Sequence, residues 1–316
     1  MPASRTHRTK KMDTREKILV LVNPAAGRGR SHEVQRRVAD YLSRCGCQAD
    51  FIQSQASEDF ERRAEEGVTA GYRTIVALGG DGTFQHLVKA TLGADVALGF
   101  FPAGGGNDVA LALGLPRDAV VAAHMFLHSQ PRRVNILRAR FSDGHSSVYV
   151  GGGGLGLDAE AAQYANGRFR RLPGAARYVA GALWALAAFQ PFHAEVEIDG
   201  ELVVAGDPPL LLAAAVNTPT YGAGVKIAPT AEVDDGLLDL ILVRQLSWTR
   251  LLEIIPVVLR TGDLREPEVR RFRARRVRLR ADRPALFHGD GEVLGQAPVE
   301  IENLPGAIRV VAPARR

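Results

Sequence analysis

Short apolar runs alternate with longer amphipathic segments along the first part of the chain. The runs 18–22 and 75–78 are apolar at every position, which is typical of strands buried on both faces of a parallel sheet. In the segment 34–42 the apolar residues instead recur every three or four positions, which indicates a helix with one buried face. This alternation predicts an N-terminal doubly wound parallel α/β domain over residues 17–132.

The rest of the chain has short apolar segments that are joined mainly by turn residues. These segments predict antiparallel strands at 134–140, 147–151, 194–198, 202–205, 210–217, 237–243, 275–280, 299–303 and 308–312. Two helical stretches, 158–192 and 247–261, interrupt the strands. Such strands form an antiparallel sandwich or barrel, and we predict a C-terminal antiparallel β-sandwich domain over residues 133–312, with disordered tails at 1–16 and 313–316.

The composition is that of an ordinary soluble protein, with 316 residues, 46% hydrophobic residues and a net charge of +5. The positive charge suits phosphate-bearing ligands, an anionic membrane surface or nucleic acid, and does not choose among them. Cys45 and Cys47 are the only cysteines, too few for a disulfide framework or a zinc site. The first 17 residues lack an apolar segment, and the stretch 178–192 is shorter than the roughly 20 residues that span a bilayer. These features predict a protein with reduced, cytosolic cysteines that is soluble or peripheral rather than integral.

Three glycine-rich turns follow predicted strands of the first domain, at 23–30, 79–83 and 104–108. Because parallel strands end at one edge of a sheet, we expect the turns to converge there. Their backbone N–H groups suit a nucleotide phosphate site, and their polar side chains are Asn23, Asp81, Thr83, Asn107 and Asp108. The Gly-Gly-Asp-Gly turn alone is explained equally well as a tight structural turn. Neither G-x-x-x-x-G-K-[ST] nor G-x-G-x-x-G occurs at these strand–helix junctions.

Five segments of the chain together carry a family resemblance. They are VNPAAGRGR, GGDGTF, PAGGGND, NTPTYGAGVKIAPTAEVDDGLLDLILV and HGDGE, in this order. The set resembles the bacterial diacylglycerol kinases and sphingosine kinase-like lipid kinases, within the superfamily of NAD kinases and 6-phosphofructokinases. The match extends over roughly residues 17–313. The resemblance implies an active site in the cleft between the two domains.

The resemblance also implies roles for individual residues. The ATP phosphates are expected to lie against Asn23, Gly79, Gly80, Asp81, Gly82, Thr83, Gly104, Gly105 and Asn107. Asp81 is expected to help hold the catalytic Mg²⁺. Asp290 and Glu292 are the candidates for the base that takes the proton of the substrate hydroxyl. Phosphoryl transfer independently requires phosphate positioning, a metal with oxygen ligands and a proton acceptor.

A second Mg²⁺ with a structural role is implied near an Asp-Gly turn of the second domain. When this site is transferred to the present sequence, its expected ligands are the Asp235 carboxylate and backbone carbonyls near Glu232 and Leu237. Without the resemblance, Asp235 would be interpreted as part of a solvated turn before a strand. Asp290 would likewise be interpreted as part of a hairpin turn.

Three positions depart from the family pattern. Gln85 and His86 stand where such kinases usually have Asn and Glu, and Gly105 replaces a threonine whose hydroxyl is expected to contact nucleotide or substrate. By itself, His86 is best explained as a histidine on a helix surface. These departures leave open a catalytically degenerate nucleotide-binding regulator. An NAD kinase or another small-molecule kinase of the superfamily is the other alternative.

Two further segments bear on partners. The apolar helix 177–190 contains Trp184 and follows Arg168, Arg170 and Arg171, so it is either buried or in contact with lipid. The stretch 265–280 holds eight arginines, and their alternation favours one solvated face of a strand over a membrane or nucleic-acid face.

The sequence as a whole predicts an ATP- and Mg²⁺-dependent lipid kinase, with diacylglycerol or a related lipid as substrate. As such a kinase, the protein is expected to be cytoplasmic and peripheral at the inner membrane face, in contact with an anionic membrane surface and without a nucleic-acid partner. Exposed sheet edges in kinases of this type often pair, so the resemblance also implies a possible homodimer.

Overall fold

The computed structural model describes residues 17–26, 31–172, 175–221, 224–261 and 267–314. The predicted tail 1–16 and part of the predicted tail 313–316 lie outside these residues. Strands and helices alternate through the first part of the chain, as predicted. In order they are β1 (Ile18–Val22), α1 (Ser31–Arg44), β2 (Ala49–Gln53), α2 (Ser57–Thr69), β3 (Thr74–Gly79), α3 (Asp81–Thr91), β4 (Ala97–Pro102), α4 (Asp108–Ala112) and α5 (Ala119–Leu127).

The first four strands are parallel and lie in the order β2-β1-β3-β4. Every residue of β1, β3 and β4 is buried, because helices cover both faces of the sheet. Leu19 and Leu21 pack with α2 and α3 on one face, whereas Ile18 and Val20 pack with α1 and α5 on the other. Successive side chains of a strand point to opposite faces, so uninterrupted apolar runs fill both cores.

The second part of the chain is mainly antiparallel. Its elements are β5 (Gln130–Phe141), β6 (Ser146–Tyr149), β7 (Gly152–Gly156), α6 (Leu157–Asn166), α7 (Ala175–Ala188), β8 (Phe192–Ile198), β9 (Glu201–Val216), β10 (Leu238–Arg244), α8 (Trp248–Thr261), β11 (Val269–Ala274), β12 (Arg276–Ala281), β13 (Leu286–Gly289), β14 (Glu292–Gln296) and β15 (Val299–Ala312). Their inward-facing residues form one core that includes Leu137, Phe192, Leu240 and Phe287. The predicted fold class, a parallel α/β domain followed by an antiparallel β-sandwich, is confirmed.

The last strand joins the two halves. β15 pairs antiparallel with β5 over most of its length, while Arg309 and Val310 pair in parallel with Ala97 and Leu98 of β4. The predicted strands 299–303 and 308–312 are therefore one strand, and its end extends the N-terminal sheet. Through this strand all the paired strands form one continuous sheet of 15 strands.

Other parts of the second domain also differ from the strand predictions. The separate strands 202–205 and 210–217 are the single long strand β9, which pairs with β8 through two shifts of register. No strand was predicted over the glycine run that follows the predicted strand 147–151, but Gly152–Gly156 is the buried strand β7 between β9 and β13. Glycine disfavours strands because it packs no side chain, so tertiary pairing decides the conformation here.

Candidate active site

The first two glycine-rich turns are joined through Thr83. A Cβ atom added to Gly79 would lie 2.3 Å from the Thr83 hydroxyl oxygen, so only glycine allows this close approach. The Asn23 side chain donates a hydrogen bond to the same hydroxyl at 3.0 Å. The turn after β1 is thereby fixed against the first turn of α3. Residues 27–30 of the first predicted turn lie outside the described residues.

The third turn packs directly against the second. A Cβ atom on Gly104 would lie 2.7 Å from the Cα atom of Gly80. Asn107 has left-handed backbone torsion angles, with φ 59°, and its amide donates to the Gly104 carbonyl at 3.0 Å. The Asn107 Oδ1 atom is buried without a hydrogen-bond partner among the described residues. The three turns converge at one edge of the sheet, as the alternation of elements predicts.

Gly105 lies at the open side of the third turn. A Cβ atom built on it would have no heavy atom within 4 Å. The threonine that the family pattern has here would therefore meet no steric obstacle. Gly82 is equally open, so Gly82 and Gly105 leave space beside the turns, whereas Gly79 and Gly104 are needed for packing.

Asp81 begins α3 at the centre of the three turns. Its Oδ2 atom accepts the backbone N–H of Asp108 at 2.7 Å, whereas its Oδ1 atom is buried without a partner among the described residues. Burial raises the pKa of this carboxyl to about 7, and the nearby charges of Asp108 and Asp290 act in the same direction. A buried carboxylate with one unsatisfied oxygen and acidic neighbours is a suitable position for a cation.

Asp290 comes to the same place from the second domain. It lies in the tight turn between β13 and β14 with φ 50°, and it receives three backbone N–H groups from the segment before β7. Val150 donates to Oδ2 at 2.7 Å, and Gly151 and Gly152 donate to Oδ1 at 2.9 and 3.1 Å. Burial raises the pKa of Asp290, while these three hydrogen bonds oppose the rise. The Asp290 carboxylate therefore anchors its own loop.

Glu292 lies just beyond that turn and contacts α3 of the first domain. Lys89 Nζ is 3.0 Å from one carboxylate oxygen of Glu292, and His86 Nε2 is 3.6 Å from the other. The second ring nitrogen of His86 lies 2.6 Å from Glu61 Oε1. Only 14% of the His86 side chain is exposed, so the interpretation of His86 as a helix-surface histidine was wrong. His86 lies between two carboxylates, one of them a candidate base.

A polar network supports the loop after β9, which contacts the first domain. Thr220 donates to the Asp108 carboxylate at 2.7 Å, which ties the segment after β9 to the third turn. The adjacent Tyr221 hydroxyl contacts Asp158 Oδ2 at 2.8 Å and also the His288 ring. His288 Nε2 lies 2.9 Å from the same Asp158 oxygen. These contacts hold Thr220 against the first domain.

The glycine strand β7 makes room for this network. A Cβ atom on Gly154 would lie 2.9 Å from Asp158 Oδ2, and one on Gly152 would lie 2.8 Å from the Tyr221 ring. Bulkier residues would push the network away from Asp290. The glycine run is therefore explained by close packing around the site.

The predicted second metal site lies at the turn before β10. The Asp235 carboxylate accepts the Leu237 backbone N–H at 2.9 Å and pairs with Arg273. Nearby, burial raises the pKa of Asp239 to about 6, with Asp235 and Glu232 adding to the rise and Arg273 opposing it. Within the described residues no three His, Cys, Asp or Glu side chains form a metal cluster. A metal held by Asp235 and by carbonyls near Glu232 and Leu237 stays a prediction.

A cavity of about 210 Å³ opens beside the third turn. Its walls include Pro102, Ala103 and Gly104, together with Arg37 of α1 and Asp118 before α5. The cavity lies next to the converging turns, on the side of the sheet that α1 and α5 cover. This position suits the nucleoside part of a ligand whose phosphates lie on the turns.

Sequence reasoning missed the residues that connect these parts. Asp108 was noted only as a polar residue of its turn, and the site residues predicted from sequence omit Lys89, Asp158, Thr220, Tyr221 and His288. Lys89 lies two helical turns after Asp81, so its position on the same helix was a signal. The pairing of Lys89 with Glu292 across 203 positions has no such local signal.

Comparison with known proteins identifies the family. Residues 17–139 match the model of the diacylglycerol kinase catalytic domain, and residues 148–312 match the YegS C-terminal NAD kinase beta sandwich-like domain. The chain belongs to the family of diacylglycerol kinases and YegS-like lipid kinases. The resemblance stated from the sequence motifs is confirmed.

The relatives of this kinase carry names of the same class. It is 28% identical over 299 residues to a diacylglycerol kinase of Mycobacterium tuberculosis strain H37Rv, covering 94% of this chain and 95% of the relative. It is 26% identical to a diacylglycerol kinase of Bacillus subtilis, covering 94% and 96%. It is 30% identical over 264 residues to a protein of Chromohalobacter salexigens named "Probable lipid kinase YegS-like", covering 81% of each.

A solved structure shows the same fold. The crystal structure of a diacylglycerol kinase from Bacillus anthracis superposes with a TM-score of 0.72 at 18% identity, covering 94% of this chain and 97% of the other. None of the helices in the described residues is long and apolar enough to span a bilayer.

Proposed function

We propose that this kinase transfers a phosphoryl group from Mg²⁺-bound ATP to a hydroxyl group of diacylglycerol or a closely related lipid. The observation that carries the proposal is the convergence at Asp81. Its unpartnered carboxylate oxygen lies where three glycine-rich turns of the first domain meet the Asp290 turn of the second. This convergence supports a phosphate cradle, a metal ligand and a candidate base at one place.

The residues at this place fit ATP and Mg²⁺. Two buried oxygens, Asp81 Oδ1 and Asn107 Oδ1, have no partner among the described residues, and hard cations prefer oxygen ligands. Gly82 and Gly105 leave open space beside the turns, so backbone N–H groups there can approach phosphate. Bound Mg²⁺-ATP supplies the phosphoryl group and neutralises charge that develops in the transition state. Asp81 would help hold the metal, and the turns would hold the phosphates.

Glu292 suits the role of proton acceptor better than Asp290. Both Asp290 oxygens accept backbone hydrogen bonds from the segment 150–152, which leaves this carboxylate a positioning role. Glu292 is 43% exposed and makes its ion pairs with side chains rather than with the backbone. We infer that Glu292 takes the proton of the lipid hydroxyl, oriented by Lys89 and His86.

The names of the relatives support diacylglycerol as the proposed phosphoryl acceptor. The proteins that are 26% and 28% identical over nearly the full chain are named diacylglycerol kinases. The His288–Asp158–Tyr221 network lies beside Asp290, on the face of the site that the second domain provides. We propose that this side of the cleft receives the lipid.

The test is transfer of label from [γ-³²P]ATP to a panel of lipids and to NAD in the presence of Mg²⁺. We expect label on diacylglycerol or a related lipid, and a loss of 10²-fold or more in Asp81→Asn and Glu292→Gln. Glu302→Gln is the matched control, because this glutamate also forms ion pairs, with Arg138 and Arg140, but lies away from the site, on β15.

Other outcomes separate the alternatives. Label on NAD alone would overturn the lipid assignment in favour of an NAD kinase. Tight Mg²⁺-ATP binding without transfer to any acceptor would indicate a nucleotide-binding regulator. Full activity of Glu292→Gln would remove Glu292 from the role of base.

A further inference from the structure

The two arginine-rich segments of the second domain have different electrostatic surroundings. On β12, Arg278 lies between Glu197 of β8 and Glu300 of β15, at 3.2 and 2.9 Å. Arg280 on the same face pairs with Glu195. The charge of this face is therefore largely neutralised within the sheet, which agrees with the solvated-face interpretation of its alternating arginines.

The arginines between α6 and α7 are not neutralised in this way. Arg168, Arg170 and Arg171 are exposed, and no ion pair links them to another of the described residues. The contacts of Arg168 are with aromatic rings, since its guanidinium lies 4.4 Å from the centre of the Trp184 ring and 6.0 Å from that of Phe169. Among the described residues, these three arginines therefore have no carboxylate as an ion-pair partner.

Apolar side chains are exposed at the same end. Leu183 is 62% exposed, Trp184 44% and Leu172 40%. The Phe169 and Trp184 rings meet edge to face at 6.3 Å, so the two segments form one surface. We call this surface the α6–α7 cap, defined by Arg168, Arg170, Arg171, Leu172, Leu183 and Trp184.

We propose that the α6–α7 cap docks on the surface of a bilayer that contains anionic phospholipids. Arginine beside exposed leucine and tryptophan is the combination that suits the membrane interface, where apolar side chains enter the acyl boundary and cations meet lipid phosphates. The amphipathic indole ring favours the same depth. A second copy of the chain on this surface would bring like charges together, which opposes symmetric pairing through the cap.

The cap is connected to the catalytic turn. α6 begins directly after β7, and the Asn166 side chain near its end donates to the Gly291 carbonyl at 2.7 Å. Gly291 lies between Asp290 and Glu292 in the chain. Docking of the cap would therefore place the candidate base near the membrane surface, and this consequence rests on the proposed lipid kinase function.

Vesicle co-sedimentation tests the docking itself. The protein is mixed with phosphatidylcholine vesicles or with vesicles that also contain phosphatidylglycerol, at low and high salt. We expect binding to the anionic vesicles that high salt weakens. Arg170→Gln/Arg171→Gln should weaken it about thirtyfold, at roughly 1 kcal/mol per cation near the surface, and Leu183→Ala/Trp184→Ala about tenfold or more.

Matched controls separate the cap from general charge and hydrophobicity. Arg36→Gln/Arg44→Gln removes two exposed arginines from α1, and Leu202→Ala removes a leucine that is 58% exposed on β9. Both should bind as the unaltered protein does. Equal weakening by the controls, or equal binding to neutral vesicles, would overturn the proposal. A dimer that dissociates in Leu183→Ala/Trp184→Ala would assign the cap to a second copy instead.

Kinase activity on two forms of substrate distinguishes this proposal from the proposed function. Cap variants should phosphorylate a short-chain diacylglycerol dispersed in water at the normal rate, and a long-chain diacylglycerol in anionic vesicles about tenfold more slowly. Equal loss on both forms would mean that the cap serves the site or the fold and not docking. If the unaltered protein phosphorylates no lipid but binds anionic vesicles through the cap, the proposed function fails and the docking proposal stands.

Discussion

Asp81 shows how burying an acidic side chain at the candidate site costs stability. Burial and the charges of Asp108 and Asp290 raise its pKa from 3.8 to about 7. Between these values the folded state binds a proton that the unfolded state releases, so the free energy of unfolding falls as pH rises from about 4 to about 7. One pKa unit corresponds to about 1.4 kcal/mol, and a cation at this site would relieve part of this cost.

We predict that Asp81→Asn makes stability less dependent on pH. In buffers with EDTA the variant should be more stable than the unaltered protein at pH 8, by a few kcal/mol, and about equally stable at pH 4. Denaturant unfolding across this range measures the difference. Asp239 and Asp290, whose pKa values are also raised, keep some dependence on pH in the variant.

Asp118→Asn is the control, because its effect on stability should change with pH in the opposite direction. Backbone N–H groups of α5 lower the pKa of Asp118, so its stabilising effect is present above the ordinary pKa and is lost at lower pH. The variant should be less stable than the unaltered protein at pH 8, and this difference in stability should disappear as the pH falls. An unchanged pH dependence in Asp81→Asn would contradict the account of Asp81. The position of Asp81 at a strand end was predictable from sequence, but its burial between two other acids was not.

At the scale of elements, four strands of the second domain carry alternating rows of charge. Glutamates on β8 and β15 face arginines on β12, and β15 in turn faces arginines on β5. The rows are Glu195 and Glu197, Arg276, Arg278 and Arg280, Glu300 and Glu302, and Arg138 and Arg140. Each pair is weak alone, but opposite charges across neighbouring strands favour one register.

We predict that Arg278→Glu lowers the melting temperature by several degrees at low salt. The new carboxylate would face Glu197 and Glu300 directly, and like charges across a sheet are destabilising. High salt should reduce the loss, and Glu300→Arg should restore part of it in the double variant. The control Arg309→Glu breaks an exposed pair with Asp95 and should have a smaller effect in thermal melts. If salt does not change the loss in melting temperature, the cause would be repacking of side chains and not charge repulsion.

These elements also show what sequence can and cannot predict. The apolar runs of β1 and β3 predicted a parallel sheet, because burial on both faces leaves a local pattern. The glycine strand β7 has no such pattern, and its conformation comes from pairing with β9 and β13. The end of β15 likewise pairs with β4, a contact that chain order alone does not indicate.

At the scale of the whole molecule, two side-chain contacts between described residues join the sides of the cleft. Thr220 binds Asp108 at one, and Lys89 binds Glu292 at the other. The continuous sheet already joins the halves through β15 and β4, so these contacts set fine geometry rather than hold the domains together. A catalytic group misplaced by about 1 Å can lose roughly 10²-fold in rate.

We predict that Lys89→Met lowers kcat by roughly tenfold to a hundredfold and leaves the KM for ATP nearly unchanged. Methionine keeps much of the length of the 22%-exposed lysine side chain but cannot orient the Glu292 carboxylate, which is proposed to act on the lipid hydroxyl and not on ATP. Lys89→Arg should recover much of the rate, because it keeps the charge.

Arg63→Met, which breaks a pair with Asp59 on α2, is the control and should leave kcat intact. Steady-state kinetics on the labelled-lipid assay measures both constants. A parallel rise in the KM for ATP would instead place Lys89 at the nucleotide, and the pairing with Glu292 would then have no catalytic role.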